Sequence, residues 1–190
     1  MIRTLAVTLL SLAGFAGLSP ALAADYEVEP HHTFVTFEVL HNGTSTTRGR
    51  FDAIEGRVSF DPAARSGQAD IRIDTASVDS GSDPFDEHLR GADFLHIAQF
   101  PEARFQSTAF VFDGERLAAV RGRLTLLGAA HEVELRAERF NCYQNARIGR
   151  EVCGGDFQAE IQRSQWGMGF GLPGIPDAVR LVVQIEAIRQ

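Results

Sequence analysis

Beyond the first two dozen residues, most of the chain alternates apolar and polar positions with period two, the signature of half-buried strands. In residues 33–39, Val35, Phe37 and Val39 share an apolar face, Thr36 and Glu38 suit solvent, and Phe34 breaks the alternation. Residues 47–51 and 54–60 read as one strand with a kink, ended by Asp61-Pro62. Ala69, Ile71 and Ile73 alternate with Asp70, Arg72 and Asp74, and residues 104–112 form a further strand around Phe105 and Phe110. Residues 117–127 and 131–140 flank Gly128-Ala129-Ala130 as a hairpin. Residues 156–163 follow, and 179–188 place Val179, Leu181, Val183, Ile185 and Ala187 on one face. About eight strands at this spacing predict an all-β sandwich or barrel in one domain, residues 24–190, with no βαβ rhythm. A single short helix, about 84–90, interrupts them. Asp83 is its expected N-cap, Pro84 its first residue and Gly91 its end, and Phe85 and Leu89 share its apolar face. That face must bury at an end or edge of the barrel.

The N-terminus follows a different rule. Arg3, an apolar run from Leu5 to Leu18, Pro20 and Ala21-Leu22-Ala23 read as a signal peptide over residues 1–23, cleaved after Ala23. An uncleaved anchor is the alternative, but the break and the small-x-small site occur together. The remaining chain has no second segment able to span a bilayer, so a soluble, periplasmic protein is expected. Cys142 and Cys153, 11 residues apart and outside any C-x-x-C pair, suit a disulfide in an oxidising compartment, stapling the base of a long loop. Two buried free thiols are the other reading.

Composition narrows the chemistry. All 18 positive residues are Arg, so a Lys Schiff base is impossible. A net charge of −7 argues against nucleic acid as a partner. The 14 Phe against 2 Tyr and 1 Trp supply large apolar area without polar handles. No G-x-S-x-G elbow occurs. His131-Glu132-Val133-Glu134-Leu135 lacks the second His of a zinc helix and sits on a strand. Gly169-Phe170-Gly171-Leu172-Pro173-Gly174 matches a dinucleotide fingerprint literally, but Pro173 and Pro176 forbid the helix that must follow. Asp79, Asp83 and Asp86 lack calcium-loop spacing. The adjacent His31 and His32 point to opposite faces of a strand, and His41 does not join His32 on one face. No metal, cofactor or catalytic group is expected. An eight-stranded barrel can be filled by side chains or hold one ligand, and composition leaves both open.

The order of motifs is more specific. It runs through Glu29-Pro30-His31-His32-Thr33 with Val35, Phe37, Val39 and His41, then Thr47-Arg48-Gly49-Arg50-Phe51 and Ile73-Asp74-Thr75-Ala76-Ser77-Val78. Next come Asp86-Glu87-His88-Leu89-Arg90-Gly91-Ala92-Asp93-Phe94-Leu95, Phe100-Pro101 and Phe105-Gln106-Ser107-Thr108. Gly122-Arg123-Leu124-Thr125-Leu126-Leu127-Gly128 and Arg163-Ser164-Gln165-Trp166-Gly167-Met168 complete it. In this order the chain resembles the YceI-like polyisoprenoid-binding family, lipocalin-like, in its disulfide-bearing subgroup. Leu127, Trp166 and Glu29 depart from common family residues without removing a reacting group.

The resemblance implies a lipocalin-like antiparallel eight-stranded β-barrel with one short helix, around an apolar tunnel. A long isoprenoid or similar amphiphile, such as a polyprenyl phosphate or quinone, would be held there for carriage, storage or sequestration, without catalysis. Val35, Phe37, Val39, Phe51, Ile71, Ile73, Phe85, Leu89, Phe94, Phe105, Leu124, Leu126, Trp166 and Met168 are expected to line or close the tunnel, about half of them touching ligand. His32, His41, Arg48, Arg90 and Arg163 are candidates for a polar head group. Net acidity favours a neutral quinone over a pyrophosphate. Two other readings are an enzyme acting on a lipid-like amphiphile through His32 and His88, and an accessory module of a respiratory membrane protein. A homodimer through strand edges is a further possibility.

Overall fold

The structure, a computed structural model, describes residues 23–190. The expected signal peptide, Ala23 apart, lies outside the described residues. The strands are β1 (Ala24–Val28), β2 (Phe34–His41), β3 (Ser45–Phe51), β4 (Ile54–Asp61), β5 (Ser66–Asp74) and β6 (Val78–Asp79). They continue, after helix α1 (Asp83–Arg90), with β7 (Glu102–Asp113), β8 (Arg116–Leu126), β9 (Ala129–Asn145), β10 (Arg150–Gln162) and β11 (Ala178–Arg189). Every pairing is antiparallel. The order β1-β4-β5-β7-β8-β9-β10-β11 returns to β1, closing the expected eight-stranded barrel.

The three remaining strands are continuations. β2 extends β1, β3 runs into β4, and β6 extends β5, each across a short break. The expected kink between residues 51 and 54 is the middle one. Local chemistry makes these breaks. Pro30 cannot donate to a ladder, and the Glu29 carboxylate receives the amides of His31 and His32 at 3.1 and 2.9 Å. Asp74 receives the amide of Ala76 at 2.9 Å. The Ser77 hydroxyl accepts from the amides of Asp52 and Ala53, tying the second break to the third.

The barrel has two unlike ends. At the turn end lie Ala24, the tight turns after β4, β7 and β9, and the C-terminus. At the helix end lie the β2–β3 turn, α1, residues 91–101 and the segment 163–177. Ser82, rather than the expected Asp83, occupies the N-cap of α1. Asp86 is buried and receives the amide and hydroxyl of Ser80 at 2.8 and 2.6 Å. Leu89 is buried and Phe85 packs on the core, so the helix covers this end as its apolar face requires.

The expected cysteine loop does not exist as a loop. β9 and β10 run through it as one ribbon, and Cys142 sits directly opposite Cys153 in register, joined by the disulfide. Gly154 and Gly155 are strand residues over which the backbones of β11 and β9 pass so closely that a Cβ would collide with the carbonyls of Ile185 and Arg139.

Three bulges set which side chains face inward, one of them making Ala118 extra in β8, where Val111 pairs with Ala119 and Phe112 with Leu117. Ser107 pairs with Gly122 and Ala109 with Arg121, so Thr108 is the extra residue in β7. Asp156 pairs with Arg139 and Phe157 with Ala137, making Glu138 extra in β9. Phe105 and Phe110 are five apart and would oppose each other on a flat strand; the bulge turns both inward. Leu135 and Phe140 are reconciled in the same way.

Candidate ligand cavity

The helix end is filled. Leu89, Leu95, Trp166 and Met168 are buried there, with Phe37, Phe51, Phe85 and Phe94 packed against them. The Trp166 indole donates to the Leu124 carbonyl at 3.2 Å, and His131 sits edge-on to its ring at 4.8 Å. Towards the turn end the side chains no longer meet. A cavity remains, with about 120 Å³ open to the centre of a water-sized sphere. One water needs about 10–15 Å³ on that measure.

Its wall comes from all eight staves, including Val35, Ile54, Ile71, Phe105, Val120, Leu124, Val133, Phe157 and Leu181. Phe60 closes its foot among Phe110, Phe112 and Phe140, with ring centroids 6.1, 6.3 and 5.3 Å away. The disulfide lies beside this cluster. Only Tyr26 and Thr33 bring polar side-chain atoms to the wall, and both are engaged. The Thr33 hydroxyl donates to the Glu186 carbonyl and accepts its amide, at 3.3 and 3.1 Å. The Tyr26 hydroxyl donates to Glu151 Oε1 at 2.6 Å. Burial, then that bond and the neighbouring carboxylate charge, push the phenol up to about 12. An apolar space without free hydrogen-bonding groups does not hold water well. Left empty, 120 Å³ costs on the order of 3 kcal/mol.

Of the expected tunnel residues, Val35, Ile71, Ile73, Phe105 and Leu124 line this cavity. Leu89, Leu126, Trp166 and Met168 are buried in the packed core, with Phe37, Phe51, Phe85 and Phe94 against it, and Val39 is half-buried further along β2. The other nine gather at or beyond the helix end, where the specific motifs lie. Phe60, Phe110, Phe140 and Phe157 line the turn end and were missed. Their strands were in view, but the bulges at Thr108 and Glu138 hid the inward phase of Phe110 and Phe140.

None of the five head-group candidates is on the cavity wall. His32 is exposed, its Nδ1 2.6 Å from Glu29 Oε2, and this hydrogen bond and the Glu29 charge raise its pKa. His41 is exposed beside Asn42 at 3.3 Å. Arg48 donates to Glu38 at 2.8 Å. Arg90 donates to the carbonyls of Ala76 and Val78 at 3.0 and 2.6 Å, pinning α1 to β6. Arg163 is buried, and its guanidinium holds the carbonyls of Pro176, Met168 and Ile175 at 2.9, 2.8 and 3.0 Å. His88 contacts Asp93 at 3.1 Å and the rings of Phe94 and Phe170. Among the described residues, no group of three or more His, Cys, Asp or Glu could hold a metal ion. No helix there is long and apolar enough to cross a membrane.

Fold and cavity together define a lipocalin-like closed antiparallel barrel with an apolar interior. Within that class, the chain belongs to the YceI-like domain family, whose model matches residues 26–187. It is 34% identical to Protein YceI of Escherichia coli O6:H1, over 98% of this chain and 97% of that one. The structure is similar to that of Burkholderia cenocepacia BcnA, at TM-score 0.69 and 26% identity, covering 84% of this chain and 98% of that one. A polyisoprenoid binding domain from Saccharophagus degradans, implicated in plant cell wall breakdown, shares the fold at TM-score 0.61 and 17% identity, covering 90% of this chain and 100% of that one.

Proposed function

We propose that the mature chain, residues 24–190, is exported to the periplasm after cleavage following Ala23, and carries, stores or sequesters an isoprenoid-type amphiphile. The observation that carries this reading is the cavity itself: an apolar space between packed core and aromatic foot, with both of its polar side chains already engaged. Each buried methylene contributes about 0.8 kcal/mol, and the space of about 120 Å³ seats the leading isoprene unit of a chain, the rest entering as the packed side chains give way. The name of the Saccharophagus degradans domain agrees with this ligand class, although that likeness is one of fold. Val35, Ile71, Ile73, Phe105 and Leu124 are the expected tunnel residues that would touch the chain. Arg90 and Arg163 are engaged with backbone carbonyls, so the head group is met elsewhere.

Binding rather than turnover is the favoured reading, because His32 and His88 stand outside the cavity wall. Purification of the mature protein from its native host, followed by native mass spectrometry and organic extraction, tests the proposal. An isoprenoid quinone or polyprenyl lipid in stoichiometric amount is expected. Protein that emerges lipid-free and takes up no quinone or polyprenol would overturn it.

A further inference from the structure

The barrel wall is not uniformly stitched. β5 pairs with β7 only from Asp70 opposite Gln106 to Asp74 opposite Glu102. Beyond that point, towards the turn end, Ser66–Ala69 and Ser107–Asp113 run without a ladder. One bond replaces it: the Ala69 amide donates to the Ser107 hydroxyl at 2.7 Å. The gap is closed by a side chain, because Gly67 lets the Phe110 ring approach where a Cβ would stand only 2.8 Å from it. On its other side the β7–β8 hairpin also parts from its neighbour, since β8 pairs with β9 only from Ala119 onward. The hairpin tip is therefore paired to itself and held to the barrel largely by aromatic packing on Phe60.

Outside this seam lies a second hollow, of about 700 Å³, across the outer faces of β1, β4, β5 and β7. It shares Tyr26, Val58 and Ala69 with the inner cavity, so those residues are the whole thickness of the wall between the two. Its lining is polar and its charge is skewed. Glu27 and Asp70 flank Arg57 across β4, Asp25 lies two residues along β1, Arg57 is the cation among the lining residues, and Asp70 is already bound by Arg104 at 2.7 Å. Ser59, Gln68 and Gln106 add uncharged donors and acceptors.

Resting on the lipid-binding reading above, we propose that the β5–β7 seam is the portal of the cavity and that the outer hollow seats the head group. The tail passes between Gly67 and Phe110 into the barrel, and the head stays outside over Gln68 and Gln106. The excess of carboxylates selects a neutral hydrogen-bonding head, an alcohol or a quinone carbonyl, against a phosphate.

Retinol, a neutral isoprenoid alcohol, and retinyl phosphate are suitable probes. Trp166 is the single tryptophan and adjoins the cavity through Leu124, so energy transfer from it reports uptake. Both native cysteines are in the disulfide, so an introduced thiol is the sole target for a polyethylene glycol maleimide. Such an adduct on Gln68→Cys is expected to slow retinol uptake at least tenfold. The same adduct on Glu87→Cys, exposed on α1 at the helix end, should leave it unchanged. Ser107→Ala, which removes the seam bond without touching the tail, should accelerate uptake and release together. Retinyl phosphate should bind at least tenfold more weakly than retinol. Slowing by the Glu87→Cys adduct and not the Gln68→Cys adduct would overturn the portal, and equal affinity for the two probes would overturn the head-group seat. Failure of the unmodified protein to take up either probe would instead overturn the lipid-binding reading, and the portal with it.

Discussion

Tyr26 joins the cavity to the stability of the barrel. Its ring lines the wall while its hydroxyl reaches Glu151 on β10, 125 residues away in sequence. The fold favours the neutral phenol, pushed from 10.0 to about 12. A protonated group whose folded value is raised stabilises fully below its unfolded value, and that contribution is lost as pH climbs through the folded one. Urea unfolding should therefore show a stability loss between pH 10 and pH 12 that Tyr26→Phe diminishes. An identical pH profile in the variant would show that Tyr26 is not the titrating group. At this scale the sequence was least readable. Arg163 looked like a cation free to meet a head group. Only the folded chain shows three backbone carbonyls around it, drawn from a segment up to 13 residues downstream.

The elements were more legible, because strand periodicity is a local property and the inward phase is not. Strand alternation located seven of the eight staves, including the kink at residues 51–54 and the hairpin at 128–130, while β1, the stave that closes the barrel, went unread. Periodicity failed where an extra residue shifts the phase, at Thr108 and Glu138, and where glycine enters a strand for close packing, at Gly154 and Gly155. Deletion of Thr108 tests the first point. Without the bulge Phe110 should turn outward, and the variant should lose isoprenoid binding while keeping a β-rich circular dichroism spectrum. The disulfide tests the second. Since Cys142 and Cys153 are already paired in register, removing the crosslink should leave the ribbon intact. Cys142→Ser with Cys153→Ser should cost about 2–3 kcal/mol in thermal unfolding, with little change in ligand affinity. A collapse of binding would mean that the crosslink shapes the cavity foot.

For the whole molecule, the motif order named the fold and family correctly, but it drew attention to the helix end, away from the cavity. The helix end carries the family's specific residues because it needs particular side chains to plug it: Leu89, Trp166 and Met168 fill it. The turn end needs only large apolar groups at intervals, and Phe60, Phe110, Phe112 and Phe140 supply them. Closure through β1 and β11 leaves unladdered edges where the β7–β8 hairpin parts from β5 and β9, and at β6 in the extension. The stability of this architecture is coupled to what fills it. A bound chain replaces an unfilled space that costs on the order of 3 kcal/mol, and stabilisation should then grow with ligand concentration.

The direct test of that account is a retinol titration of two variants against the unmodified protein. Val120→Phe places a ring into the cavity from β8, and Phe37→Leu alters the packed helix end that the cavity does not reach. The account predicts at least a tenfold loss of affinity for Val120→Phe and none for Phe37→Leu. Undiminished binding by Val120→Phe, with loss in Phe37→Leu, would place the ligand at the other end of the barrel and contradict it.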